Sequence, residues 1–334
     1  MKKAYRLLVM TLACVFILAH VTYDANANVN RSAARNSRIT VEGRAVSERG
    51  LGFTAIGELP VVSFPSNLLL EDEINERIDE IFNTEVFGVR RPVARTFVFS
   101  HSIRRSEDIV TILISVSSAV NRPVQNTFGI TVDLNNEEII SLSDISGLGI
   151  NALQVAQQAV EYAISQNPNF SNVNFSGIDN SRSFYLDGSS VVLLFNEGEI
   201  APVHLGVQNV RLETDSIVNM ILNRDSFVIR EDFYNLNLIP LRLVAEAMGY
   251  DVAWNAVTRT GNITRDQFET SVILNRNSYY RVRGVTRSLE SAPTQLVVSG
   301  TLKTLVPLSF FDQILDVVYS EDGNGNIVFS AYRP

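Results

Sequence analysis

Apolar positions recur along the chain with two different periods. From Leu68 to Phe82, "LLLEDEINERIDEIF", the residues Ile74, Ile78, Ile81 and Phe82 fall on one stripe of a 3.6-residue helix, with Glu, Asp and Arg opposite. Ser66 or Asn67 stands where a side-chain oxygen can cap the first turn. The carboxylates Glu71, Asp72, Glu73, Glu76, Asp79 and Glu80 spread around the polar side, which describes a solvated face and not a metal or acid–base cluster. Strand-like runs follow: "ARTFVFSHSI" (94–103), "DIVTILISVSSAV" (108–120) and "NTFGITVDL" (126–134). A second helix is expected over 149–166, where Leu153, Ala156, Val160 and Ile164 keep the helical period and Asn167-Pro168 ends it. "SFYLDGSSVVLLFNEGEIAP" then reads as a hairpin turning at Asp187-Gly188. Residues 28–57, rich in Asn, Arg, Ser, Ala and Gly, lack sustained periodicity and read as a linker with room for one early strand.

From residue 218 the pattern repeats. "ILNRDS" (221–226) and "ILNRNS" (273–278) each sit between apolar strand residues. Each is followed by a second shared piece, "NLIPLRLVAEAMGYDVAW" (237–254) and "TLVPLSFFDQILDVVYS" (304–320). Pro240 and Pro307 are placed at helix starts, where a missing N–H is harmless, and Gly249 suits the left-handed residue that ends a helix. Tyr250, Val252 and Trp254 then alternate as a strand, and "EDGNGN" turns into the last strand, "IVFSAY". Each copy is one strand–helix–strand unit that cannot bury its apolar face alone, so the two are expected to pair. Ile221 to Pro240 spans 19 residues and Ile273 to Pro307 spans 34. The extra residues lie around "RVRGVTRSLESAPTQLVVSG", where a loop or added hairpin could carry function specific to that copy.

The fold class expected is therefore α+β, in two domains (58–217 and 218–334), each of β-sheet with a few packed helices, the second an internal duplication. The start of the chain has another logic. Lys2, Lys3 and Arg6 precede an apolar run of 13 residues from Leu7 to Ala19, and Ala25-Asn26-Ala27 offers the small residues of a signal-peptidase site. Cleavage after Ala27 and export are expected, because a membrane-spanning helix needs roughly 20 apolar residues. The one cysteine, Cys14, lies in that segment, so the exported chain would have no disulfide or thiolate chemistry. Losing the segment takes the formal charge from −8 to about −10, which disfavours binding to nucleic acid or to a membrane through bulk charge.

Two resemblances add to this reading. "LPVVSFPSNLLLEDEINERIDEIF", "FGITVDLNNEEIISLSDI" and "FYLDGSSVVLLFNEGEIAP", in that order over 58–217, resemble the exported domain of RsiV-like anti-sigma factors and PdaC-type peptidoglycan deacetylases. That family often has a Gly-Gly-Ala-His segment where this chain has "SSAVNRPVQNTFGI". The pattern "LIPLRLVAEAMGYDVAWN…ILNRNSYYRVRGV…LVPLSFFDQIL" resembles the copper amine oxidase N-terminal-like domain over about 218–332, with Asn255 where an Asp usually follows the Trp. The second resemblance implies a stalk module that holds no copper and associates with cell-wall material. The first allows capture of a lysozyme-like enzyme.

Candidate chemistry is sparse. His101 and His204 are far apart in sequence and lack metal-ligand spacing, and His101, beside Arg104 and Arg105, reads as an exposed neighbour of a turn. No Gly-x-Ser-x-Gly, His-Glu-x-x-His or phosphate loop occurs. Neither a metal, another cofactor nor catalysis is expected. The candidate binding surface is Tyr279, Tyr280, Arg281 and Arg283, whose rings and planar donors suit sugars or acidic groups, while Trp254 is expected in the core. The function expected is that of an exported, non-catalytic cell-envelope protein that binds cell-wall polymer or a wall-acting protein. The alternatives are a module capturing a lysozyme-like enzyme and an envelope hydrolase or deacetylase.

Overall fold

The computed structural model describes residues 39–88, 94–119, 123–170, 175–230, 236–281 and 285–334. Ala27 and the expected cleavage point lie outside the described residues. The architecture is α+β: several small and medium sheets with, among the described residues, four α-helices packed on them.

The first sheet begins earlier than the sequence pattern indicates. β1 (Thr40–Gly50) and β2 (Phe53–Ser63) form an antiparallel hairpin, paired from Thr40–Ser63 to Gly50–Phe53, where a linker was expected. β1 is an edge strand that buries Val46 and leaves nearly all its other side chains at least partly exposed, so it carries little hydrophobic alternation. Helix α1 (Leu68–Phe87) then crosses over, and β3 (Arg95–Ser106) joins β2 in parallel from Phe53–Arg95 to Gly57–Phe99. β4 (Ile109–Ala119), β5 (Pro123–Asp133) and the short β6 (Glu138–Ile139) complete the sheet antiparallel. The apolar stripe of α1 runs one turn further than expected, with Leu70, Ile74, Ile78, Phe82 and Val86 all buried. Asn67 is the cap, its Oδ1 accepting from the Leu70 N–H at 3.1 Å.

β4 is buried on both faces. Val110, Ile112, Ile114 and Val116 share a core with α1, while Thr111 and Leu113 lie on the opposite face and are buried as well. That second face is covered by β7 (Phe184–Asp187): Thr131 donates its hydroxyl to the Phe184 carbonyl at 3.0 Å, and the Gly129 N–H donates to the Ser183 hydroxyl at 2.9 Å. β7 turns at Gly188 into β8 (Ser190–Phe195), which pairs with β9 (Gln208–Glu213). Helix α2 (Ala152–Gln166) packs Ala152, Ala156, Ala159 and Val160 into the same core as Val191, Leu193 and Phe195.

The rest of the chain begins with β10 (Ile217–Leu222), β11 (Val228–Arg230), β12 (Leu236–Pro240), α3 (Leu241–Ala247), β13 (Asp251–Asn255) and β14 (Thr260–Arg265). It continues with β15 (Phe268–Ile273), β16 (Tyr279–Arg281), β17 (Val285–Arg287), β18 (Thr294–Val298), β19 (Thr301–Pro307), α4 (Ser309–Gln313), β20 (Val318–Glu321) and β21 (Ile327–Tyr332). β10 pairs with β21, β14 with β15, and β12 with β19, each antiparallel. Pro240 and Pro307 are the last residues of β12 and β19, facing Leu305 and Leu238 across the ladder, and both stand at helix starts, Pro240 as the N-cap of α3 and Pro307 just before the N-cap of α4, Leu308. α3 ends as expected: Gly249 has φ +74°, and the Tyr250 N–H reaches back to the Ala245 carbonyl at 2.9 Å. The residues inserted between the Ile273 strand and Pro307 are the β16–β17 hairpin and β18.

The two sheet-and-helix regions meet along α2 and β21. Asn151 is buried, and its amide donates to the Val328 carbonyl at 3.1 Å and the Ser330 hydroxyl at 2.9 Å. Ser330, fully buried, donates in turn to Asn219 at 2.6 Å. Gln158 bridges two strands' ends, donating to the Asp316 carbonyl at 2.6 Å and accepting from the Tyr332 N–H at 3.0 Å.

Candidate functional site

Of the four residues expected to form a binding surface, Tyr279 is the one whose side chain lies among the described residues. Tyr279 is fully buried: its ring packs on Phe310 at 5.4 Å between centroids, and its hydroxyl donates to the Ser291 carbonyl at 2.7 Å. Burial, helped by the charge of Glu290, pushes its phenol well above the ordinary range. It is a core residue, which overturns its assignment to an exposed stacking surface. The backbones of Tyr280 and Arg281 continue β16, while their side chains and all of Arg283 lie outside the described residues.

Trp254 departs from expectation in the other direction. It is half-buried and lines an open groove of about 430 Å³ with Arg242, Leu243, Gln295, Leu302 and Lys303. The local fold explains this exposure. Trp254 pairs across the ladder with Gly261, whose missing side chain leaves a seat for the indole. A Cβ at Gly261 would stand 3.4 Å from Cε3 and 3.6 Å from Cζ3 of Trp254. The ring therefore lies over backbone on the sheet side, and α3 and the β18–β19 hairpin supply the walls of the groove. The polar groups around it include the Arg242 guanidinium, ion-paired with Glu246 at 3.1 Å, the Lys303 ammonium and the Gln295 amide, while Leu243 and Leu302 are exposed apolar neighbours. An aromatic platform with convergent hydrogen-bond donors fits the apolar face and the hydroxyls of a sugar ring.

A larger groove of about 1050 Å³ runs between α2 and the C-terminal region, lined by Gln157, Glu161, Tyr162, Arg265, Tyr332 and Arg333 among others. Sequence reading missed it because its walls come from two segments, 153–178 and 249–334, that are far apart in the chain. The one signal for it was the polar glutamine face of α2, where Gln154, Gln157 and Gln158 stand in place of charges.

Neither His101 nor His204 lines either groove. His101 lies within β3 opposite Ile114, half-buried and not beside a turn, with Nδ1 buried and unpartnered. His204 is exposed in a short 3₁₀ turn, Val203–Leu205. No cluster of three potential metal ligands occurs among the described residues. Among them, too, no helix is long and apolar enough to cross a membrane.

Fold and grooves thus define a class: an α+β protein whose open clefts each carry an aromatic side chain, Trp254 in one and Tyr162 and Tyr332 in the other. Within it, residues 233–330 match the family model of the copper amine oxidase N-terminal domain, in agreement with the resemblance read from the sequence. Among solved structures, a member of the DUF3298 family from Bacteroides fragilis NCTC 9343 is similar at 10% identity, covering 53% of this chain and 91% of that one, with a TM-score of 0.38. A DUF3298 family protein from Pseudomonas aeruginosa PAO1 is similar at 14% identity, covering 52% and 89%, with a TM-score of 0.36. No curated protein matches the chain.

Proposed function

We propose that this chain is an exported, non-catalytic protein of a Gram-positive cell envelope that binds cell-wall polymer, peptidoglycan in the first place, through the Trp254 groove. The observation that carries the proposal is the half-exposed indole seated over Gly261 with Arg242, Gln295 and Lys303 around it. Two further features support it. The basic residues, apolar run and Ala25-Asn26-Ala27 at the start of the chain fit an export signal. The copper amine oxidase N-terminal domain match spans the groove's whole lining.

Trp254 is the single tryptophan of the chain, so intrinsic fluorescence reports the site directly. Titrating soluble glycan strands should shift and saturate the emission. Trp254→Phe should retain weaker binding, and Trp254→Ala should lose about 2 kcal/mol, roughly 30-fold in affinity, as expected for a central aromatic anchor. An emission spectrum unchanged by glycan, together with Trp254→Ala binding as well as the parent, would sink the proposal.

The architecture beneath the groove is, in this proposal, a duplication of one strand–helix–strand unit. Reciprocal pairing supports it: β10 of the first copy pairs with β21 of the second, and β15 of the second pairs with β14 of the first. β12 and β19, the strands that lead into α3 and α4, pair with each other at the centre.

A further inference from the structure

The large groove beside α2 is lined by two arginines, Arg265 and Arg333, that face each other with no carboxylate in ion-pair contact among the described residues. Arg265 and Arg333 both lie against the Tyr250 ring, their Cζ atoms 4.6 and 5.7 Å from its centroid. Nε and Nη2 of Arg333 are buried and have no hydrogen-bond partner. Neither guanidinium forms an ion pair among the described residues. Burial, and after it the charge of Arg265, hold Arg333 below the usual arginine range. Gly249 makes room for this arrangement, since a Cβ there would fall 1.8 Å from Nη1 of Arg333. The left-handed glycine that ends α3 is therefore also the wall of an arginine pocket.

Buried guanidinium donors left without an acceptor are costly, and two like charges against one ring compound the cost. A planar anion offering two oxygens would offset both charges, in the fork geometry that guanidinium groups favour, with the Arg333 side chain turning to present its covered nitrogens. The wider groove argues against a polyanion: Glu161, Asp266, Asp312 and Asp316 also line it and would repel dense negative charge. What fits is a single carboxylate on an otherwise neutral or cationic body. Gln154 and Gln157 both line the groove, Gln157 already held by the Ile178 N–H and by Glu161.

We propose that Arg265 and Arg333, backed by Tyr250, form a binding site for the terminal carboxylate of a peptide, seated in the groove between α2 and the C-terminal region. The site stands apart from the Trp254 groove and does not depend on glycan binding.

The test is calorimetric titration of the full chain with three probes: alanyl-alanine, N-acetyl-alanyl-alanine, and alanyl-alanine amide. Both carboxylate probes should bind and the amide should not. Arg265→Ala should weaken binding at least tenfold while leaving the thermal unfolding midpoint close to the parent's. Arg265→Lys should recover part of the loss, because it returns the charge without the fork. Arg333→Ala is the less secure variant, since Arg333 packs against Gly249, so Arg265 carries the decision. Equal binding of acid and amide would overturn the proposal, as would silence of both acids up to 10 mM on the order of the weakest useful affinity. Binding of inorganic phosphate with both carboxylates silent would overturn the assignment of ligand class.

Discussion

The Tyr279 hydroxyl and the Asn151 amide hold two different parts of the molecule together, and each makes a prediction. The Tyr279 phenol is raised by burial, so its native state holds the proton more tightly than the unfolded chain does. The stability this lends is complete below the ordinary phenol range near 10 and is lost as pH rises above it. Alkaline titration of stability should show that fall, and Tyr279→Phe should flatten it while removing about 1 kcal/mol for the lost hydrogen bond to Ser291. Asn151→Ala should remove about 1–3 kcal/mol by leaving the Ser330 hydroxyl and Val328 carbonyl short of a donor in the dry junction, measured by urea unfolding. Neither role was legible in the sequence. Adjacent residues of a strand face opposite ways, so "SYY" states that one tyrosine points inward without stating which. Asn151 fell inside the helix expected over 149–166 with no signal of its own, and its partners lie 177 and 179 residues away.

At the scale of elements, what repeats locally was legible and what pairs remotely was not. The stripe of α1, the turn at Gly188, the Gly249 helix end and the Asp322 turn all follow from short-range pattern. Replacing the α1 cap, Asn67→Ala, should lower stability by about 1 kcal/mol, read from the unfolding midpoint. The β1–β2 hairpin escaped because an edge strand exposes most of its side chains and so lacks the alternation that marks a half-buried strand. Trp254 was misplaced for a related reason: its exposure depends on Gly261, a residue in the neighbouring strand whose pairing a linear pattern does not show. Gly261→Ala should therefore move the indole. Its added methyl would meet Val272 Cγ2 at 3.2 Å and the ring at 3.4 Å, and the tryptophan emission maximum should shift without unfolding. An unchanged spectrum would mean that the indole does not use that seat.

For the molecule as a whole, α+β class and two regions were readable, but their mutual packing was not. α2 is shared: one side closes the core with β8, and its polar residues clasp β21 and the chain before β20. The fragment 218–334 should accordingly be less stable than the same residues within the full chain, with β21 uncovered and its Ser330 and Ala331 exposed. Greater binding of a hydrophobic dye by the fragment would register this.

Wall binding is therefore best tested on the full chain. Purified protein should co-sediment with peptidoglycan sacculi in a saturable manner, and Trp254→Ala should remain folded and largely in the supernatant. A full chain that stays in the supernatant at saturating sacculi, or a Trp254→Ala variant that pellets as the parent does, would contradict the proposed function.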